Sequence, residues 1–418
     1  MPKLVHIIGA GLAGLAAAVR LSRSGVAVVL HEAANQAGGR CRSYDDPALG
    51  MAIDNGNHLV LSGNRATIEF VTGIGAGKEL HGPGAAAFPM VDLATNRRWT
   101  IRINDGRLPW WIFDPTARVP GTTATQYLPL ARLLWPPADR TIGEVIGCKG
   151  PVYEQLLDPL LRAALNTEPP LASAALAGAV LRETVATGGS ACHPLIAANG
   201  LGRAFIDPAL NFIAQHGGSI RFGHRLRALA FNGTHASKLD FGEDTLDLAP
   251  NDAIIVAVPP PVAADLLPGL TVPTEFCAIV NAHYRFVSDK PVPPMMGALN
   301  GMTEWLFAFP DRLSVTISAA NRLLELEREA LANKIWHEVA QMIGSNAPMP
   351  AWQIVRERRA TFAAVPAQNA RRPATATQWN NLMLAGDWTA TGLPATIEGA
   401  IRSGNRAADL LMRANDGQ

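Results

Sequence analysis

The sequence predicts an α/β fold, a doubly wound parallel sheet interleaved with a second domain of α+β type. Three observations carry that prediction. A short apolar run near the amino end leads straight into a glycine-rich turn and a helical stretch; further apolar runs at 252–258 and 382–384 supply strands for the same sheet; and 418 residues, 48% of them hydrophobic, can bury two cores.

Taken in order, residues 5–8 (VHII) suit a buried parallel strand, and Gly9, Gly11 and Gly14 follow at G-x-G-x-x-G spacing. Gly9 permits the tight turn, Gly11 lets the backbone approach a pyrophosphate, and Gly14 lets the helix at 12–24 pack on the sheet. That helix aims its amino-terminal N–H groups at the phosphates, so the loop through Ala10, Leu12 and Ala13 is the expected anion site. Gly25 ends the helix, and 26–31 forms the second strand, closed by Glu32, eighteen residues after Gly14. A carboxylate at Glu32, beside Ala33, accepts both ribose hydroxyls and repels a 2'-phosphate, which disfavours NADP. A secretory signal starting at Lys3 is the competing reading; Arg20, Ser22 and Arg23 interrupt it, and the pattern continues into strand.

Gly38, Gly39 and Arg40 come next, then Arg42 and Ser43. An arginine after two glycines suits a bidentate grip on phosphate oxygens. With this trailing GGR the opening resembles the flavoprotein superfamily of amine oxidases, protoporphyrinogen oxidases and carotenoid desaturases. The resemblance implies FAD, with Gly39 and Arg40 along its pyrophosphate and ribityl chain. It also implies a discontinuous, Rossmann-like FAD-binding domain from 1–79, 195–273 and 371–418, and an α+β substrate domain from 80–194 and 274–370.

In the first of these, 200–217 reads as a helix and 219–231 as two short strands around Gly223 and His224. The resemblance places backbone near Leu226 on the adenine. The run 252–258 is a buried strand stopped by Pro259, Pro260 and Pro261. After the strand at 382–384, Gly386 and Asp387 form a turn, and Ala395, Thr396 and Ile397 open a final helix running to about 413. Asp387 can hydrogen-bond the ribityl hydroxyls, or simply cap its turn. The helix end would face the flavin pyrimidine edge, where charge accumulates on reduction.

The substrate domain is expected to hold helices at 153–165 and 171–187, strands within 296–317 and an amphipathic helix at 322–343. The run Leu108, Pro109, Trp110, Trp111, Ile112, Phe113, with 128–135 further on, admits two readings: a core helix with loops, or a surface patch that touches lipid.

Composition narrows the function. Net charge is +1 and charged residues are 17%, so there is no footprint for nucleic acid. Cys41, Cys148, Cys192 and Cys277 form no C-x-x-C pair, which argues against a metal centre or a disulfide framework and suits a reducing cytoplasm. No run of about 18 apolar residues could span a bilayer, so the expected location is cytoplasmic or peripheral at the inner membrane.

Amine oxidases of this superfamily present aromatic side chains before the last helix; here Thr391, Gly392, Leu393 and Pro394 stand there. Some attach the flavin through a carboxy-terminal cysteine, but the last one here is Cys277, so the flavin is expected to be non-covalent. The chain more closely resembles the squalene-associated branch, the hydroxysqualene dehydroxylase family, over nearly its whole length. The likeness rests on DNGNHL from Asp54, on DPLL from Asp158 with ALNT ending at Thr167, and on the LAGDWTATGLPATIEGAIRSG ending. It implies that Gly56, Asn57 and His58 lie along the flavin edge and that the reaction is reductive removal of an allylic hydroxyl, with hydride from reduced flavin quenching an allylic cation. Such a hydroxyl needs a proton donor, and His58 and Asp158 are the candidates; Asp158 alternatively caps a helix or pairs with Arg162. The implied partners are a long-chain isoprenoid substrate and an unidentified electron donor, since no second nucleotide motif is present. The rivals are a carotenoid-type desaturase and a non-catalytic prenyl-lipid escort; Glu32, Arg40 and Asp387 argue against the latter.

Overall fold

The computed structural model describes residues 1–413. Its amino-terminal apolar run forms the strand Leu4–Ile8, with Ala27–His31 and Asp252–Val256 parallel to it on either side. Ser219–Arg221 and Leu382–Leu384 complete a five-stranded parallel sheet. Every residue of Asp252–Val256 is buried, as a central strand covered on both faces requires. That strand stops at Val256, short of the expected 258. The prolines that follow open the helix Pro260–Leu266, where a missing N–H costs nothing.

The helix Leu12–Arg23 packs against the closing helix Ile397–Arg413. Their approach depends on small residues, for a Cβ on Gly404 would lie 2.1 Å from the Ala13 carbonyl oxygen. The first and last helices of the described chain thus share one core.

A seven-stranded sheet runs in the order Trp352–Phe362, Phe276–Tyr284, Leu313–Ile317, Trp305–Ala308, Met295–Leu299, Ala87–Asp92, Arg97–Arg102. Only the Met295–Leu299 and Ala87–Asp92 pair is parallel; the rest is antiparallel. The helix Arg328–Ile343 covers it, burying Leu331, Ile335 and Val339 among Val280 and Val315. This helix starts at Arg328, later than the expected 322, because the Glu327 carboxylate accepts from the Glu329 and Ala330 amides at 2.9 and 2.7 Å and caps it there.

Two further expectations change in detail. The stretch 153–165 is a π-helical turn, Tyr153–Leu157, running into the helix Asp158–Leu165. The stretch 171–187 condenses to Ala174–Glu183, with Ser173 as its cap. The tryptophan-rich run forms no core helix. It makes a single 3-10 turn, Trp110–Phe113, in which Trp111 is buried while Trp110 and Phe113 are exposed. Among the described residues no helix is long and apolar enough to cross a membrane.

Candidate active site

The site begins at the glycine loop. Gly9 has φ of +104°, and a Cβ there would lie 2.5 Å from the Ala257 carbonyl oxygen, so only glycine fits. A Cβ on Gly14 would lie 2.0 Å from the Gly9 carbonyl oxygen. Gly11 differs: nothing stands within 4 Å of where its Cβ would be. Two glycines are filled against by protein and the middle one faces open space, the arrangement a pyrophosphate needs. Gly38 lies beside this loop, its amide donating to the Ala10 carbonyl at 2.8 Å, and exposed Gly39 follows it. Both glycine segments therefore build one floor.

Glu32 turns back onto that floor. One carboxylate oxygen accepts from the Ala10 amide and the other from the Ala34 amide, both at 2.8 Å, while Ala33 is exposed beside it. Each oxygen keeps a further lone pair for a ribose hydroxyl. Leu226 is buried in the core just before the strand Ala228–Asn232.

The structure brings the two ends of the chain together at Arg40 and Asp387. One guanidinium nitrogen donates to both Asp387 carboxylate oxygens at 2.8 and 2.7 Å, and another to the Ala360 carbonyl. The Asp387 turn is fixed from behind. Gly386 has φ of +151°, its amide donates to the Ser403 hydroxyl at 2.9 Å, and buried Arg372 donates to the Asp387 carbonyl at 3.1 Å and to the Thr391 hydroxyl at 2.8 Å. Burial lowers Arg372 to about 10, which still leaves it charged at neutral pH.

The closing helix begins at Ile397, with the Thr396 hydroxyl accepting from the Gly399 amide at 3.0 Å; Ala395 lies just outside. Its first internal bond joins the Ala400 amide to the Thr396 carbonyl, so the Ile397 and Glu398 amides point out of the helix end. Glu398, buried, accepts from the Ala66 and Thr67 amides at 3.1 and 2.9 Å and from Arg402, whose guanidinium forks Glu183 at 2.8 and 2.7 Å.

The segment from Asp54 to Leu59 is pinned to both sheets. Buried Asp54 accepts from the Ser43 hydroxyl and from the Leu201 amide at 2.9 Å, with Arg312 3.8 Å away. Asn281, on Phe276–Tyr284, accepts from the Asn57 amide at 3.4 Å and from the Thr316 hydroxyl at 2.8 Å, and donates to the Asn55 carbonyl at 3.4 Å. A Cβ on Gly56 would come within 3.0 Å of the Asn281 amide nitrogen. His58 lies 3.9 Å from the Cys41 sulfur, next to Arg40 in sequence. Burial, aided by the Arg40 charge, lowers the His58 imidazole to about 4, so it is neutral at pH 7.

Asp158 sits in a separate ionic cluster. Both its oxygens accept from Arg162, at 3.1 and 3.2 Å, and the Tyr153 hydroxyl donates to it at 3.3 Å. The same Arg162 meets Glu168 at 2.6 Å and approaches Glu304 at 3.8 Å. Glu304 accepts from the Ser318 amide at 2.7 Å, yet burial pushes its carboxyl up to about 7. Glu304, Asn281, Arg372 and Glu398 were assigned no role from sequence; Asn281 and Glu398 act through partners more than 200 residues away, and Glu304 meets Arg162 only in the fold.

Known proteins resemble this chain closely. A family model described as flavin-containing amine oxidoreductase matches residues 12–412. A protein named hydroxysqualene dehydroxylase from Rhodopseudomonas palustris is 55% identical over 415 residues, covering 99% of both chains. Proteins of the same name from Sinorhizobium fredii and Zymomonas mobilis are 53% and 45% identical, covering 99% and 98% of this chain and 99% of their own. Among solved structures, cyclohexylamine oxidase from Brevibacterium oxydans superposes with a TM-score of 0.71 over 99% of each chain at 16% identity, a likeness of fold alone.

Proposed function

Because the chain belongs to the flavin-containing amine oxidoreductase family, beside relatives named hydroxysqualene dehydroxylase, we propose that it binds FAD non-covalently and reductively dehydroxylates hydroxysqualene to squalene. The observation that carries this reading is near-full-length identity of 45–55% to those relatives. The cradle supports it: an open face at Gly11, a carboxylate at Glu32, the Arg40 and Asp387 pair, and the start of the closing helix at Ile397. On this reading Gly11 and the Leu12–Arg23 helix end receive the pyrophosphate, Glu32 the adenosine ribose, and Asp387 the ribityl chain.

When bound and reduced, the flavin supplies the two electrons that the reaction consumes. The chain's own task is to deliver one proton to the departing oxygen, which leaves as water, and to exclude solvent from the exposed carbon. His58 and Asp158 remain the proposed donors. A neutral imidazole can donate its N–H in a hydrogen bond but is a weak acid. Glu304, tied to Asp158 through Arg162, holds a carboxyl proton at near-neutral pH. The discontinuous division into 1–79, 195–273 and 371–418 against 80–194 and 274–370 belongs to the same proposal. In its favour, all five parallel strands fall in the first set and the seven-stranded sheet in the second. The substrate is a long isoprenoid, the electron donor is a separate carrier, and the protein is cytoplasmic with peripheral membrane contact.

The test is anaerobic turnover. Purified protein should be yellow, release FAD on denaturation, and convert hydroxysqualene plus a chemical reductant to squalene detected by mass spectrometry. A colourless protein that takes up no flavin would sink the reading, and a polyene formed from squalene or phytoene would favour the desaturase instead.

A further inference from the structure

We propose that two 3-10 turns, Trp110–Phe113 and Ala124–Leu133, form a face that docks on a phospholipid bilayer carrying anionic headgroups, and that the isoprenoid substrate enters beneath it. Leu108, Trp110, Phe113, Leu128 and Trp135 are between 61% and 78% exposed, against the ordinary rule for side chains of this size. The two turns are fixed to each other by Trp111 and Tyr127, both buried, which meet edge to face with centroids 5.3 Å apart. In a 3-10 helix residues three apart eclipse, so Pro129 and Arg132 share an exposed side while Tyr127, Leu130 and Leu133 face inward, and Trp135, just past the helix end, is exposed as well.

Size and charge select the occupant. Five side chains of about 200 Å² each, two-thirds exposed, present of the order of 650 Å². That falls below the roughly 800 Å² per partner of a standard protein interface, yet it suits insertion into a headgroup region, where tryptophan is favoured. Between 107 and 135 the chain carries Arg107, Arg118 and Arg132 against a single carboxylate, Asp114. Asp114 is occupied by the Thr116 amide and hydroxyl, and among the described residues Arg107 and Arg132 have no carboxylate partner. The surplus cations complement anionic lipid.

Beneath the turns lies a packed apolar cluster. Trp111 and Tyr127 belong to a buried cluster with Met90, Val152, Trp305 and Phe307, and Leu59, the neighbour of His58, packs against that cluster. Hydrophobic contact therefore runs from the docking face to the proposed flavin edge. This inference rests on the isoprenoid reading for its purpose, but membrane binding is measurable without it.

The experiment uses the flavin-loaded protein and vesicles of phosphatidylethanolamine with phosphatidylglycerol. Wild type should sediment with vesicles, less so in high salt. A variant carrying Trp110→Asp, Phe113→Asp and Trp135→Asp should remain yellow and of unchanged mass, and its vesicle-bound fraction should fall about tenfold or more. Its turnover of substrate in detergent should equal wild type, while turnover of vesicle-embedded substrate should fall similarly. The proposal is overturned if wild type stays in the supernatant, if the variant binds as wild type does, or if wild type is a dimer that the variant splits. Lack of squalene from both proteins in detergent would instead count against dehydroxylation, with the sedimentation result still deciding the docking face.

Discussion

Three glycines of one motif should respond differently to the same methyl group. Gly14→Ala drives a Cβ to within 2.0 Å of a backbone oxygen and should destabilise the apoprotein by about 2 kcal/mol or more. Gly11→Ala meets nothing in the protein, so apoprotein melting should be unchanged while bound flavin, read as the ratio of 450 to 280 nm absorbance, falls sharply. If Gly11→Ala melts early as well, the open face is not the cofactor's. A second residue-level consequence concerns acid. His6, His31 and His224 form a hydrogen-bonded row, at 3.1 and 2.9 Å, ending on Asp244 at 3.0 Å. Burial, with the neighbouring His6 and His224, lowers His31 to about 3, and burial also lowers His6. Between about pH 6.5 and 3 the unfolded chain then binds protons that the folded chain refuses, so stability falls as pH falls below 6.5. His31→Gln should flatten the acid limb of a urea-midpoint profile by about one proton, some 1.4 kcal/mol per pH unit. An unchanged slope would mean that the row titrates alike in both states.

At the scale of elements, the closing helix shows why some features are readable and others are not. Its existence was legible from local pattern, as were the glycine-loop helix and the buried strands, because each is specified by neighbours in the chain. Its anchor was not: Glu398 meets amides at Ala66 and Thr67, more than 300 residues back. The same holds for the Arg328 start, decided by one side-chain cap, and for the 110–113 run, whose apolar composition cannot distinguish a core from a docking face. Glu398 is nearly solvent-free, occupies two amides that begin the helix Arg65–Gly73, and balances Arg402. Glu398→Ala therefore leaves the Ala66 and Thr67 amides without their acceptor, while Arg402 keeps Glu183, and should cost about 2 kcal/mol of stability by denaturant titration. Adding Arg402→Ala should restore little, since the Ala66 and Thr67 amides stay unsatisfied. A loss of less than about 1 kcal/mol for the single change would show that water replaces the carboxylate.

At the scale of the whole molecule, the cradle is closed by groups from opposite ends of the sequence, for Arg40 and Asp387 are 347 residues apart and Glu183 reaches Arg402 across 219. On the proposed reading no contiguous segment holds the cofactor alone, so binding should stabilise the chain as a unit. Adding FAD to apoprotein at a hundredfold excess over its dissociation constant should raise stability by about 2.7 kcal/mol, and calorimetry should show one transition moving as a whole. Arg40→Ala and Asp387→Ala should each weaken this gain, and the double change should weaken it by less than their sum, since the ion pair is lost with either partner. Two transitions, only one of them sensitive to FAD, would instead mean that the parallel sheet and the seven-stranded sheet unfold separately, and that the Arg40 and Asp387 contact joins the chain ends without coupling the two sheets.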